Sequence, residues 1–307
     1  MKLKYLSHCF VLSAGLLAGQ QAIADDMLFW QDNSLTYLNG SNFQRLNFNG
    51  EEQRSQTTYT FEHASGWKWG DIFAFYDYID ADNLQFRGSN FGNLTVKEKS
   101  HFYYMEFSPR VSLSWLSGQE LSAGPLKDVK AAFTYEKGNG GPGTENYLYG
   151  LGFDWDVPGF AFLQTNLYRV KINNHILFDH DFRASDVGNG YATQLTVAGA
   201  YPFAIGEQSF VVDGYVDWRS PSKDAGTQTS VGSSIQVKWD AGKALFGEER
   251  KLYVGTELNM WHNKYGIKPI DGSTDGFDPL SGRWQRAHKR LRTCNVLQVL
   301  GDNRIAA

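Results

Sequence analysis

The chain has 307 residues, including 16 Tyr, 21 Phe, 9 Trp and 32 Gly, with a formal charge of -4 and a negative mean hydropathy. Beyond the N-terminus no stretch approaches the about 20 apolar residues that a membrane helix requires, and the acidic balance offers no footprint for a nucleic acid polymer. A chain rich in aromatics and glycine yet polar on average fits an outer-membrane β-barrel, whose outside meets lipid, whose lumen meets water and whose aromatic girdles mark both interfaces.

In chain order, Lys2 and Lys4 precede an apolar stretch, Phe10 to Ala18, and then Ala22-Ile23-Ala24. Small residues at these positions predict a signal peptide over 1–24, with cleavage before Asp25 and export across the inner membrane of a Gram-negative cell. Only Cys294 remains after such cleavage, which excludes an intrachain disulfide and a Cys-based metal centre. From there on the hydrophobic period is two. Tyr147, Tyr149, Leu151, Phe153 and Trp155 alternate with Gly150, Gly152 and Asp154, and Tyr103, Met105 and Phe107 alternate with Glu106, Ser108 and Arg110. Eleven such segments are expected, near 33–38, 56–64, 70–79, 101–113, 129–137, 146–156, 161–172, 190–201, 208–218, 227–239 and 250–262. Their connections alternate between long, Gly/Asn/Asp-rich stretches, such as 80–100 and 173–189, and tight turns at Ser65–Trp67, Val157–Gly159 and Pro202–Glu207. The segment from Trp115 to Lys127 is a longer exception. A barrel that starts in the periplasm gives this alternation, whereas a secreted β-sandwich gives the strands without it.

Tyr104–Leu113 (YMEFSPRVSL), followed by Leu121–Asp128 (LSAGPLKD), resembles the nucleoside-specific channel family (Tsx-type), including its vibrio branch of outer-membrane phage receptors. Gly70–Asp80 (GDIFAFYDYID) and Tyr149–Asp156 (YGLGFDWD) are similar to further segments of that family, and the likeness runs from about Trp30 to about Trp261. The resemblance implies a twelve-stranded monomeric porin-like barrel that passes nucleosides and deoxynucleosides down their gradient. Its partners would be those solutes and the surrounding outer-membrane lipid and lipopolysaccharide. A second reading makes the barrel a surface protein that meets bacteriophage or host through its long outer loops.

A nucleoside offers an aromatic base and a hydroxylated sugar, so a selective lumen needs stacking surfaces beside polar groups, holding the solute weakly enough to release it. On the third segment Asp71, Phe73, Phe75 and Asp77 share one face and Ile72, Ala74, Tyr76 and Tyr78 the other. A carboxylate facing lipid is costly, which favours the Asp-bearing face as the inner one. Phe73 and Phe75 are then candidate stacking platforms with Asp77 as polar partner. Glu106 and Arg110 lie four residues apart on the polar face of the fourth segment, and Lys130, Thr134 and Glu136 share a face of the fifth. Two roles stay open for these charges: contact with solute across a narrow lumen, or an internal salt-bridge network that fills space. His175, Asp179, His180 and Asp181 read as a solvated loop rather than a metal site. No metal, cofactor or catalytic set is expected, since neither a nucleophile elbow nor a phosphate loop nor a zinc-protease motif occurs.

Single-chain bacterial barrels have even strand numbers, so a twelfth strand is expected to pair with the first. The barrel proper is assigned to 25–282. The tail, 283–307, carries six Lys/Arg against the single acid Asp302, and it does not alternate. Either the reading frame shifts near 270–283, or Thr293–Leu300 serves as an irregular closing strand. The other two frames of the nucleotide sequence decide between them.

Overall fold

A computed structural model describes residues 27–43, 54–84, 99–139, 144–173, 189–263, 266 and 292–303. The expected signal peptide, most of the long loops and the loop His/Asp group at 175–181 lie outside the described residues. Twelve antiparallel strands follow one another: β1 (Leu28–Phe43), β2 (Arg54–Trp67), β3 (Gly70–Leu84), β4 (Lys99–Ser112), β5 (Leu126–Gly138), β6 (Thr144–Trp155), β7 (Phe162–Asn173), β8 (Asn189–Ile205), β9 (Gln208–Arg219), β10 (Ser230–Asp240), β11 (Leu252–His262) and β12 (Arg292–Asn303). Each pairs with its sequence neighbour, and β12 pairs with β1, so the barrel is closed. Closure gives every strand two partners and leaves no edge of unpaired amides in lipid.

Each of the eleven expected segments coincides with a strand, and the observed strands run further toward the turns. Ser65–Trp67, expected as a turn, is the end of β2; the turn is Lys68–Trp69, because Trp67 still pairs with Gly70. Pro202–Ile205 likewise belongs to β8, and the reversal is Gly206-Glu207, where Gly206 adopts a φ of 60°. Proline is accommodated there because β7 stops pairing with β8 at Ala200, leaving that part of β8 bonded on one side. The expected exception after β4 contains a one-turn helix, α1 (Leu113–Ser117), capped by the Ser112 hydroxyl, which accepts from Trp115 N at 3.1 Å. A second short helix, α2 (Ala241–Phe246), joins β10 to β11 and is capped by Asp240. The closing strand lies inside the 283–307 tail, beyond the 282 boundary assigned to the barrel.

Residues of one parity face outward. Leu35, Phe61, Phe107, Phe133, Leu151, Leu167, Leu195, Val216, Val237 and Val254 are all exposed, which in a barrel means lipid-facing. Toward the long-loop end Tyr37, Tyr59, Tyr78 and Tyr103 stand in one row across β1 to β4, and Tyr135 faces Tyr147 on β5 and β6. Trp30, Trp67, Trp69, Trp115 and Phe160 gather at the short-turn end. These two girdles orient the barrel, with short turns on the periplasmic side and long loops outside.

The lumen is not uniform. On its β5–β8 side Ala132, Leu148, Tyr168, Val170, Ile172 and Ala192 form a buried apolar cluster. The connection 220–229 folds inward onto it and inserts the fully buried Ala225. Gly190 permits this approach, since a Cβ there would lie 2.5 Å from Ser222 Oγ and 2.9 Å from Ala225 Cβ.

Candidate functional site

The barrel encloses a cavity of about 1430 Å³, and all seven candidate residues line it: Phe73, Phe75, Asp77, Glu106, Arg110, Lys130 and Glu136. The structure separates them into three groups.

The first is a lattice of aromatic and acidic side chains on β2, β3 and β4. Register places Glu62, Phe75 and Glu106 directly opposite one another, then Thr60, Asp77 and Tyr104, then Ala64, Phe73 and Ser108. Directly opposed residues have Cβ atoms about 5 Å apart, so Phe75 is flanked by an acidic residue on either side. The Phe73 and Phe75 rings lie 5.9 Å apart, and Phe75 lies 5.7 Å from Tyr104, giving a continuous aromatic run along the wall. Neutral donors orient the acids: Tyr104 OH donates to Glu106 Oε1 at 2.8 Å, Thr60 Oγ1 to Asp77 at 2.5 Å and Ser34 Oγ to Glu62 at 3.2 Å.

The second group is an ion network near the short turns. Arg110 grips Asp71 with two hydrogen bonds of 2.8 Å, and its Nη1 stands 3.0 Å from Asp154 Oδ1. Lys130 Nζ bonds Asp71 Oδ2 at 2.5 Å and also Asp154 Oδ2. Two cations and two carboxylates therefore alternate in a closed ring over β3 to β6. Arg110 and Lys130 thus take the network role left open by the sequence.

Glu136 belongs to the third group. Its carboxylate accepts from Asn146 Nδ2 at 2.7 Å and from Arg219 Nη2 at 3.0 Å. Arg219 is on β9, separated from β5 by β6, β7 and β8, so its side chain spans a chord of the lumen over the apolar cluster. Gln194 Oε1 accepts from Arg219 Nε at 2.7 Å midway. On the remaining wall Lys238 pairs with Asp213 at 2.7 Å, Gln236 donates to Glu257 at 2.6 Å and Thr196 to Asp217 at 2.5 Å.

Tyr104, Glu62 and Arg219 are site residues that the sequence did not single out. The parity of Glu106 and Arg110 also puts Tyr104 on the inner face, and that signal was there to read. The pairing of Arg219 with Glu136 joins non-neighbouring strands and has no counterpart in periodicity. Among the described residues no group of His, Cys, Asp and Glu has metal-holding geometry.

The chain resembles OmpK, an outer membrane protein of Vibrio parahaemolyticus, at 31% identity over 204 residues, covering 66% of this chain and 68% of that protein. It is 30% identical over 166 residues to the nucleoside-specific channel-forming protein Tsx of Klebsiella aerogenes, covering 53% of this chain and 52% of that one. Among solved structures the NanC porin aligns over 89% of this chain and all of its own, with a TM-score of 0.44 and 8% identity. The KdgM porin aligns over 88% of this chain and 99% of its own, with a TM-score of 0.38 and 10% identity. The family described as nucleoside-specific channel-forming protein, Tsx, matches residues 32–281, and this outer-membrane barrel with its polar, aromatic-lined lumen is a channel that belongs to it.

Proposed function

We propose that the barrel, acting as a monomer, passes nucleosides and deoxynucleosides through the outer membrane by passive, selective diffusion. The observation that carries this reading is the Glu62–Phe75–Glu106 row, an aromatic ring flanked by two acceptor groups. A base stacks on Phe75 or its neighbours Phe73 and Tyr104, while sugar hydroxyls donate to Glu106, Glu62 or Asp77 on the adjoining strands. Base–aromatic stacking contributes about 1–3 kcal/mol, enough to enrich the solute in the lumen and weak enough to let it leave. No chemistry is asked of the wall: the ionised groups hold and orient, and the gradient drives transit. Family membership and a relative named for nucleoside-specific channel formation support the same solute class.

Liposome swelling with adenosine or thymidine, set against sugars of equal size, tests it. Nucleosides should enter faster, and the combined Phe73→Ala and Phe75→Ala substitutions should reduce that advantage about tenfold. Equal entry rates for both solutes in the unsubstituted protein would overturn the nucleoside reading and leave the channel itself standing.

A further inference from the structure

We propose that the outward face of β5–β8, at its long-loop end, is a docking site for the phosphates of lipopolysaccharide. The inference concerns the outside of the wall and does not depend on which solute the lumen carries. Register arranges this face in rows. The row Ala131, Leu151, Leu167, Leu195 is wholly apolar and lies in the hydrocarbon band. The row above it is Phe133, Tyr149, Arg169, Thr193, and the next is Tyr135, Tyr147, Lys171, Tyr191. Lys137 follows one step further, opposite Glu145.

Three cations thus stand outward where the apolar band gives way to tyrosines, at the level of the outer-leaflet headgroups. Their long stems lie along apolar surface and carry the charge up to that level. Arg169 and Lys171 are exposed and pair with no carboxylate among the described residues. The Arg169 guanidinium sits 4.9 Å from the centre of the Tyr191 ring, which holds its fork at the surface. Lys137 lies 3.8 Å from Glu145, the one acid of the patch among the described residues, whose other oxygen accepts from the Tyr135 and Tyr147 hydroxyls at 3.2 Å and 3.1 Å. Among the described residues the patch keeps a net positive charge. The matching ends of β9–β11 present Trp218, Val231 and His262 instead, so the basic character does not continue onto that stretch of the wall. A cluster of outward cations directly above an apolar band is complementary to a lipid whose headgroup carries phosphates next to its acyl chains.

Binding of purified lipid A to the refolded full-length barrel in detergent tests the site. Bisphosphorylated lipid A should bind in a salt-sensitive manner, and the combined substitutions Lys137→Gln, Arg169→Gln and Lys171→Gln should weaken it by about tenfold or more. Ion conductance should be unchanged, because none of the three lines the lumen. Lys68→Gln, in a short turn at the opposite end, should leave binding as it was. If the triple variant does not refold, Arg169→Gln alone should still weaken binding severalfold. Unchanged affinity in the variants, equal binding of dephosphorylated lipid A, or equal binding of phosphatidylglycerol would each overturn the assignment to lipopolysaccharide.

Discussion

Arg219 and Glu136 show how much a single pair can determine in a lumen. The Glu136 side chain is 7% exposed and that of Arg219 22%, so both charges are largely out of water and depend on each other. Removing one partner of such a pair leaves the other buried and costs about 3–5 kcal/mol. Arg219→Ala should therefore lower the denaturant midpoint of the barrel, and it should also raise single-channel conductance, because the chord across the lumen is gone. The exchanged pair, Arg219→Glu with Glu136→Arg, should restore most of the stability and bring the conductance back down. An unchanged conductance in Arg219→Ala would mean that the chord lies off the conducting path. The same residues mark the limit of what the sequence shows. Parity alone puts Phe73, Phe75, Asp77, Glu106 and Arg110 on the inner face, because lipid penalises a charge on the outer one. Parity says nothing about which charges on that face neutralise one another. Arg110 and Lys130 are absorbed by Asp71 and Asp154 and Glu136 by Arg219, whereas Asp77 and Glu106 beside Phe75, like Asp217 and Glu257 further round the wall, are held by neutral donors.

At the scale of strands, legibility follows from the contrast between the two faces. Most of β1 to β11 separate a mainly apolar row from a mainly polar one, so their period of two is plain in the sequence. β12 lacks this contrast. Its register puts Leu297 and Val299 in the lipid-facing row with Val254 and Leu35, but it also puts Val296 and Leu300 in the lumen-facing row with Leu38 and Ser34. Apolar residues in both rows erase the alternation, and the family match ends at residue 281, before this strand begins. The inward connection 220–229 is equally silent in the sequence, since its place depends on the gap left by Gly190 on a different hairpin. Because β12 closes the barrel, a chain cut after residue 282 has two open edges in lipid, and each unsatisfied backbone group costs several kcal/mol there. That truncation should abolish the compact, heat-modifiable form on electrophoresis. Val296→Pro, in the middle of both ladders, should do the same by removing an amide and clashing with its neighbours. A truncated chain that still inserts and conducts would show that the barrel closes some other way.

For the whole molecule the usual placement of polar and apolar residues is inverted: the broad apolar surface is outside and the ionic groups are inside. Among the described residues that line the cavity, acidic side chains outnumber basic ones two to one. The cations at mid-height do not redress this. Lys238 is bound to Asp213 and Arg219 to Glu136, while Arg110 and Lys130 sit in the neutral ring near the short turns. Asp77, Glu106, Asp217 and Glu257 are held by neutral donors and set the potential along the path. Low-dielectric walls concentrate such a field, raising the local density of cations and lowering that of anions. The channel should therefore conduct potassium in preference to chloride, read as the sign of the zero-current potential across a planar bilayer in a gradient of potassium chloride. Screening shortens the reach of these charges from about 10 Å at 0.1 M salt to about 3 Å at 1 M, so the preference should shrink as the mean salt concentration rises. Joint substitution of Asp77→Asn and Glu106→Gln should reduce it further without altering the outward face. A chloride preference, or a potassium preference that survives both substitutions and high salt unchanged, would mean that the acids beside Phe75 do not face the conducting water.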